Sequence, residues 1–231
     1  FMSPDGSYDF TKQAGQQWFM NAARERGVND FLFFTNSAPY FMTRTGSTLS
    51  GDNVRINLQD DKFDDFARFF VRTVQHFREN GYNIKYVSPL NEPNVEWHTN
   101  SWQEGTFATK ADIYKLVAEL DKAISESGVD SKIIIPEMGE MKMLFEVADN
   151  ERIPDDIIRS MFYDDGAYSV VQFKNLYNCL AAHDYWTAYP PSLLVGIRAQ
   201  VRDSIAGNGR DTKFWASEYC ILEKNEEITM P

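Results

Sequence analysis

The stretch Ile84-Lys85-Tyr86-Val87-Ser88-Pro89-Leu90-Asn91-Glu92-Pro93 sets a short β-rich run directly against an Asn-Glu pair bounded by prolines. A run so rich in β-branched and aromatic side chains reads as a strand ending just before Pro89. Glu92 then stands past a strand end. Pro93 removes a backbone donor and biases Glu92 toward an extended conformation, which would aim its side chain outward. The flanking segments decide the architecture. Upstream, Phe63, Phe66, Ala67, Phe70, Val74 and Phe77 recur at helical spacing, with Asp60 as the expected cap, acids in the first turn, Arg78 near the end and Gly81 after it. Downstream, Thr109 and Asp112 resemble a capping box ahead of the stripe Ile113, Leu116, Val117, Leu120 and Ile124, which Gly128 closes.

The alternation continues toward both ends. Residues 11 to 26 read as a helix capped by Thr11 and stopped by Gly27, and Phe31-Leu32-Phe33-Phe34-Thr35 as an apolar strand buried on both faces. Lys132-Ile133-Ile134-Ile135 reads as a strand closed by Pro136, followed by irregular or short helical pieces over 141 to 165. A helix is expected around 168 to 180, then a strand over Ala181-Ala182-His183-Asp184-Tyr185. Pro190 and Pro191 open a further helix, with Leu194, Ile197, Val201 and Ile205 on one face and Gly207 as its stop; Lys213 to Glu218 is a last strand. Helices alternating with strands call for an α/β fold, a parallel sheet covered by helices. No G-x-G-x-x-G or G-x-x-x-x-G-K-[ST] occurs to announce the nucleotide site of a doubly wound sheet. Polar and aromatic residues gather instead at the carboxyl ends of several strands: Asn36, Tyr40, Asn91, Glu92, Glu137, His183, Tyr185 and Glu218. A (β/α)8 TIM barrel uses that placement. Only five strands can be counted, so residues 1–231 are expected to be a partial catalytic barrel domain, with the remaining strands outside this chain. Five open strands leave two unpaired edges, so the piece alone is expected to be poorly soluble and far less active than its parent.

Composition narrows the partners. The 231 residues are 43% hydrophobic and 25% charged, an ordinary globular content, and the net charge of −11 would repel nucleic acid and anionic membrane surfaces. Aromatic residues make up 14% of the chain, which suggests rings lining a binding surface. No apolar run reaches the roughly 18 residues of a membrane span, and the N-terminus lacks a secretory pattern, although a chain starting at Phe1 leaves a leader open. Cys179 and Cys220 carry no metal-ligand spacing and read as small buried apolar residues, Cys179 within the expected helix. His76, His98 and His183 show no H-E-x-x-H pattern, so no metal is expected. Asp60, Asp61, Asp64 and Asp65 are a helix-start charge bias rather than a calcium loop.

Glu218 ends the last strand within Trp215-Ala216-Ser217-Glu218-Tyr219, bulk that would exclude water. It lies 126 positions after Glu92, which fits three insertion-bearing βα units, since barrel units average about 31 residues. Strands three apart in an eight-strand ring face each other across the mouth. Two facing carboxylates among aromatic rings suit cleavage of a glycosidic bond, one protonating the leaving oxygen while the other, ionised, attacks or stabilises the anomeric carbon.

Ser88-Pro89-Leu90-Asn91-Glu92-Pro93 resembles the fourth-strand acid/base motif of the clan of (β/α)8 retaining glycosidases, and Trp215-Ala216-Ser217-Glu218-Tyr219 its seventh-strand nucleophile motif. Thr35-Asn36-Ser37-Ala38-Pro39-Tyr40-Phe41-Met42-Thr43 is similar to the stretch after the third strand of glycoside hydrolase family 30. Gln103-Glu104-Gly105 matches an element of that family's endo-β-1,6-galactanase-like members. The resemblance runs from about Asp9 to Tyr219. It implies barrel strands 3 to 7, Glu92 as acid/base, Glu218 as nucleophile, Asn91 as partner of the sugar 2-hydroxyl, and no metal or organic cofactor. It implies a retaining endo-β-1,6-galactanase, with a β-1,6-glucanase, a xylanase or a non-catalytic carbohydrate-binding barrel as alternatives, a polysaccharide or oligosaccharide as partner, a secreted, periplasmic or cell-surface location, and a β-sandwich beyond this chain. Ala38 and Thr106 depart from the family pattern. The further candidates for sugar contact are Asn36, Tyr40, Trp97, His183, Tyr185 and Trp215, with Trp102 as a second stacking platform beside Trp97.

Overall fold

The computed structural model describes residues 1–49, 51, 54–148 and 152–220. The elements alternate as expected: α1 (Ala14–Glu25), β1 (Asp30–Phe34), α2 (Phe63–Glu79), β2 (Asn83–Ser88), α3 (Lys110–Ser127), β3 (Lys132–Met138), α4 (Ile157–Met161), β4 (Leu176–His183), α5 (Pro191–Ala206) and β5 (Lys213–Glu218). The five strands pair in parallel in the order β1-β2-β3-β4-β5. A doubly wound sheet reverses its strand order at a switch point, and this one does not.

The sheet is also curved. The rings of Tyr86 in β2 and Trp215 in β5 have centroids 5.1 Å apart, and Tyr177 in β4 lies 5.1 Å from Tyr86. Three inter-strand steps in a flat sheet would separate β2 from β5 by about 14 Å. These rings therefore meet across a concave face, and the sheet is an arc of a (β/α)8 barrel. On the convex side, α2 packs against β2 and α3, and α3 against β3. The expected stripe of α2 is buried from Phe63 to Phe77, Asp64 and Asp65 fill its first turn, and the Thr109–Asp112 capping box of α3 forms with both reciprocal hydrogen bonds.

Several local expectations are corrected. Lys62, not Asp60, occupies the cap position of α2, and Asp60 pairs with Arg55 outside the helix. Thr11 does not cap α1; its hydroxyl bonds Asp9, and the helix starts after Gln13, which has φ 59°. β1 is not buried on both faces: Leu32 is 41% exposed, since β1 pairs only with β2 among the described residues. β3 is not closed by Pro136 but runs through it to Met138, with a register irregularity there that accommodates the missing N–H. No helix forms around 168 to 180. The Asn175 side chain is instead tied to Asp121 and Ser125 of α3, its carbonyl accepts the Ile133 N–H, and the chain enters β4 at Leu176. Cys179 is accordingly a buried strand residue, whereas Cys220 is exposed rather than buried. Between 141 and 165 the chain forms a short 3-10 turn, Met141–Leu144, and α4; residues 149 to 151 of that stretch lie outside the described residues.

Candidate active site

The carboxyl ends of β2, β3, β4 and β5 bring together Glu92, Glu137, His183, Tyr185 and Glu218. His183 is fully buried at the end of β4, where a register shift between Ala182 and His183 re-aims its side chain. Its Nδ1 lies 2.8 Å from Glu92 Oε1 and 3.5 Å from Glu218 Oε2. One oxygen from each of the two glutamates and a ring nitrogen of His183 lie within 4.8 Å of one another. The Tyr185 hydroxyl donates to Glu218 Oε2 at 2.7 Å. Burial and then this hydrogen bond push the phenol pKa up, so Tyr185 stays a donor.

Glu92 departs from the expected extended, outward-pointing pose. It has φ 50° and is 4% exposed. Its N–H donates to the Glu137 carbonyl at 2.9 Å, and its own carbonyl accepts from Val95 N–H and Trp97 Nε1. This turn overrides the bias imposed by Pro93 and swings the carboxyl inward onto His183. Glu218, expected to be shielded by bulk, has a side chain 38% exposed. One carboxyl is thus enclosed and the other open to the mouth.

Burial alone would push the His183 pKa down, but the neighbouring Glu137 and Glu92 carboxylates and the Glu218 charge outweigh it and raise the pKa to about 9. The ordinary histidine value is about 6.5, so stability from this proton is complete below about pH 6.5. It is lost as pH rises through about 9. The urea midpoint of the wild type is therefore expected to fall relative to that of His183→Gln across this window; parallel profiles would contradict the assignment.

Glu92, His183 and Glu218 are also a group whose side chains could hold a metal ion.

The remaining candidates divide. Asn91 is buried with its Oδ1 lacking a partner among the described residues, and its carbonyl accepts the Thr106 N–H. Thr106 in turn donates its hydroxyl to the Asn36 carbonyl, so this departure from the family pattern ties two strand-end loops together. Tyr40 is half exposed beside the pocket that Ser37 and Glu104 help to line. Trp102 is 89% exposed. Trp97, expected as a stacking platform, is buried against Gly105, and Trp215 sits in the inner aromatic cluster with Tyr86 and Tyr177. Neither ring joins the carboxylate cluster. A Cβ at Gly105 would fall 1.9 Å from the Trp97 ring. Gly105→Ala is expected to cost about 1–3 kcal/mol by overpacking, read as a lowered denaturation midpoint; an unchanged midpoint would show that Trp97 moves freely.

A curved parallel sheet with two carboxylates at the ends of its second and fifth strands defines an arc of a (β/α)8 barrel of glycosidase type. The chain belongs to O-glycosyl hydrolase family 30, whose profile matches residues 1–229. An exo-β-1,6-galactobiohydrolase of Bifidobacterium longum subsp. longum is 31% identical over 116 residues, 47% of this chain and 7% of the relative. An endo-β-1,6-galactanase of Hypocrea rufa is 26% identical over 128 residues, 54% of this chain and 26% of the relative. The crystal structure of a conserved exported protein from Bacteroides fragilis matches with a TM-score of 0.96 at 70% identity, over 100% of this chain and 47% of that one. The chain spans less than half the length of each of these proteins. Among the described residues, no helix is long and apolar enough to cross a membrane.

Proposed function

We propose that this chain is the catalytic part of a retaining glycoside hydrolase acting on a β-linked polysaccharide, with β-1,6-galactan the preferred substrate. The observation that carries the reading is the close approach of Glu92 and Glu218, one oxygen of each within 4.8 Å of the other, at the ends of strands three apart. Retaining enzymes hold their carboxyl groups about 5–5.5 Å apart, and inverting ones leave about 6.5–9.5 Å for a water. Glu218, open to the mouth and oriented by Tyr185, attacks the anomeric carbon as the carboxylate. Glu92, in its protonated form, gives its proton to the leaving oxygen. In the second half Glu92 takes a proton from water, which attacks the anomeric carbon and releases Glu218. The unpaired Oδ1 of Asn91 accepts a sugar hydroxyl, while Asn36, Tyr40 and Trp102 contact the glycan along the rim.

The galactan preference rests on the two β-1,6-galactan-active relatives. A polysaccharide substrate and an exported relative support a location outside the cytoplasm. Coverage of 47% of the Bacteroides fragilis protein supports a longer intact enzyme, which in this reading supplies three further strands of the barrel and a β-sandwich. Incubating that enzyme with β-1,6-galactan, β-1,6-glucan and xylan, and measuring new reducing ends, tests the reading. Release from galactan above the others is expected; binding without release from any of the glycans would favour a carbohydrate-binding barrel.

A further inference from the structure

Glu137 has no part in the steps above, yet it is a carboxylate only 1% exposed at the floor of the site. It shares the left-handed backbone of Glu92, with φ 57°, in a strand where neighbouring residues are extended. That conformation is uncommon for a residue with a side chain, and it sits where β3 slips in register against β4. Its carbonyl accepts the Glu92 N–H, its Oε2 accepts the Ser217 hydroxyl, and the same oxygen lies 3.6 Å from His183 Nε2. Ser217 immediately precedes Glu218. Three contacts from one residue therefore reach the backbone of Glu92, the residue before Glu218 and the imidazole that lies between the two carboxylates.

We propose that Glu137 is a positioning residue that, from the far side of the His183 ring, fixes the imidazole and the end of β5 so that Glu92 and Glu218 keep their separation and their common neighbour, the His183 ring. The proposal rests on the glycosidase reading of the pair. Glu137 reaches no reacting atom in this arrangement; it acts through His183 and Ser217. The ring is faced by Glu92 from the loop after β2, Glu137 from β3, Glu218 from β5 and the Tyr185 ring 5.5 Å away. Asp184, next in the chain, is engaged by Arg198 and Thr187. Of these groups, only Glu137 approaches Nε2, at 3.6 Å and without a hydrogen bond, so its charge acts on the ring from the side opposite the Nδ1 contact with Glu92. A carboxylate retained only for packing would have no such link to the opposite nitrogen.

The test uses the intact enzyme with Glu137→Gln, which keeps shape and removes charge, and Glu137→Asp, which keeps charge at a shorter reach. The His183 ring proton, assigned by its loss in His183→Gln, is followed by NMR against pH. Glu137→Gln is expected to lower that midpoint by about one unit or more. On an activated aryl β-galactoside it is expected to lower kcat by roughly 10- to 100-fold, as a misplacement of about 1 Å would, with KM little changed and the alkaline limb of the profile moved to lower pH. Glu137→Asp is expected to recover part of kcat. If Glu137→Gln does not fold, Ser217→Ala removes one of the contacts, and a lower kcat at constant KM is the expected result. An unmoved His183 midpoint, or a moved midpoint with unchanged kcat, would overturn the proposal. If the wild type cleaves no glycan, the functional reading fails, and the His183 titration still decides whether Glu137 governs the ring.

Discussion

Glu218→Ala in the intact enzyme is expected to abolish glycan turnover, a loss on the order of 10⁴-fold or more, because no other described group is placed to form the covalent intermediate. His183 is occupied by its two carboxylate neighbours, and Tyr185 keeps its proton. Removing Glu218 also deprives Tyr185 of its acceptor and His183 of one of its charges, so the variant is expected to show a lower His183 titration midpoint as well as lost activity. Residual activity above about one per cent of wild type would place the nucleophile elsewhere.

Glu92→Ala is expected to separate substrates by their leaving groups. Cleavage of the glycan, whose alkoxide leaves poorly, should fall by about 10²–10⁴-fold for want of a general acid. An aryl glycoside with an activated leaving group needs no proton in the first step, so glycosylation of Glu218 proceeds and the intermediate accumulates. Azide then attacks without general-base help and is expected to restore turnover, giving a β-glycosyl azide. Azide rescue of Glu218→Ala with a β-azide product, and of Glu92→Ala with an α-azide product, would exchange the two roles. Glu92 is buried against His183, so unfolding must be excluded by comparing denaturation midpoints.

Much of this was legible in the chain because it depends on local chemistry. The α2 stripe, the Thr109–Asp112 box, the β-branched strands and the placement of both glutamates at strand ends follow from periodicity and punctuation. The failures share a different cause. A helix around 168 to 180 was a reasonable reading of polarity and spacing, but Asn175 is captured by Asp121 and Ser125, residues some fifty positions earlier, which no local pattern contains. Pro136 reads as a strand stop, whereas a register slip lets the strand pass through it and turns Glu137 beneath His183. Trp97 looks like an exposed platform until Gly105 is seen to make room for its ring. A glycine eight residues after a tryptophan was the available signal. The Ser217–Glu137 contact joins β5 to β3 across β4, and its only trace in the chain is that both residues lie near strand ends.

The most direct measurement is covalent trapping. Incubating the intact enzyme with an activated 2-deoxy-2-fluoro β-galactoside slows the second step, and mass mapping of the labelled peptide identifies the attacking side chain. The expected result is a single fluorosugar on Glu218, with Glu92 unmodified and with hydrolysis of the natural substrate releasing product of retained β configuration. A label on Glu92, or an α product with no label at all, would contradict the assignment of Glu218 as nucleophile in a retaining pair.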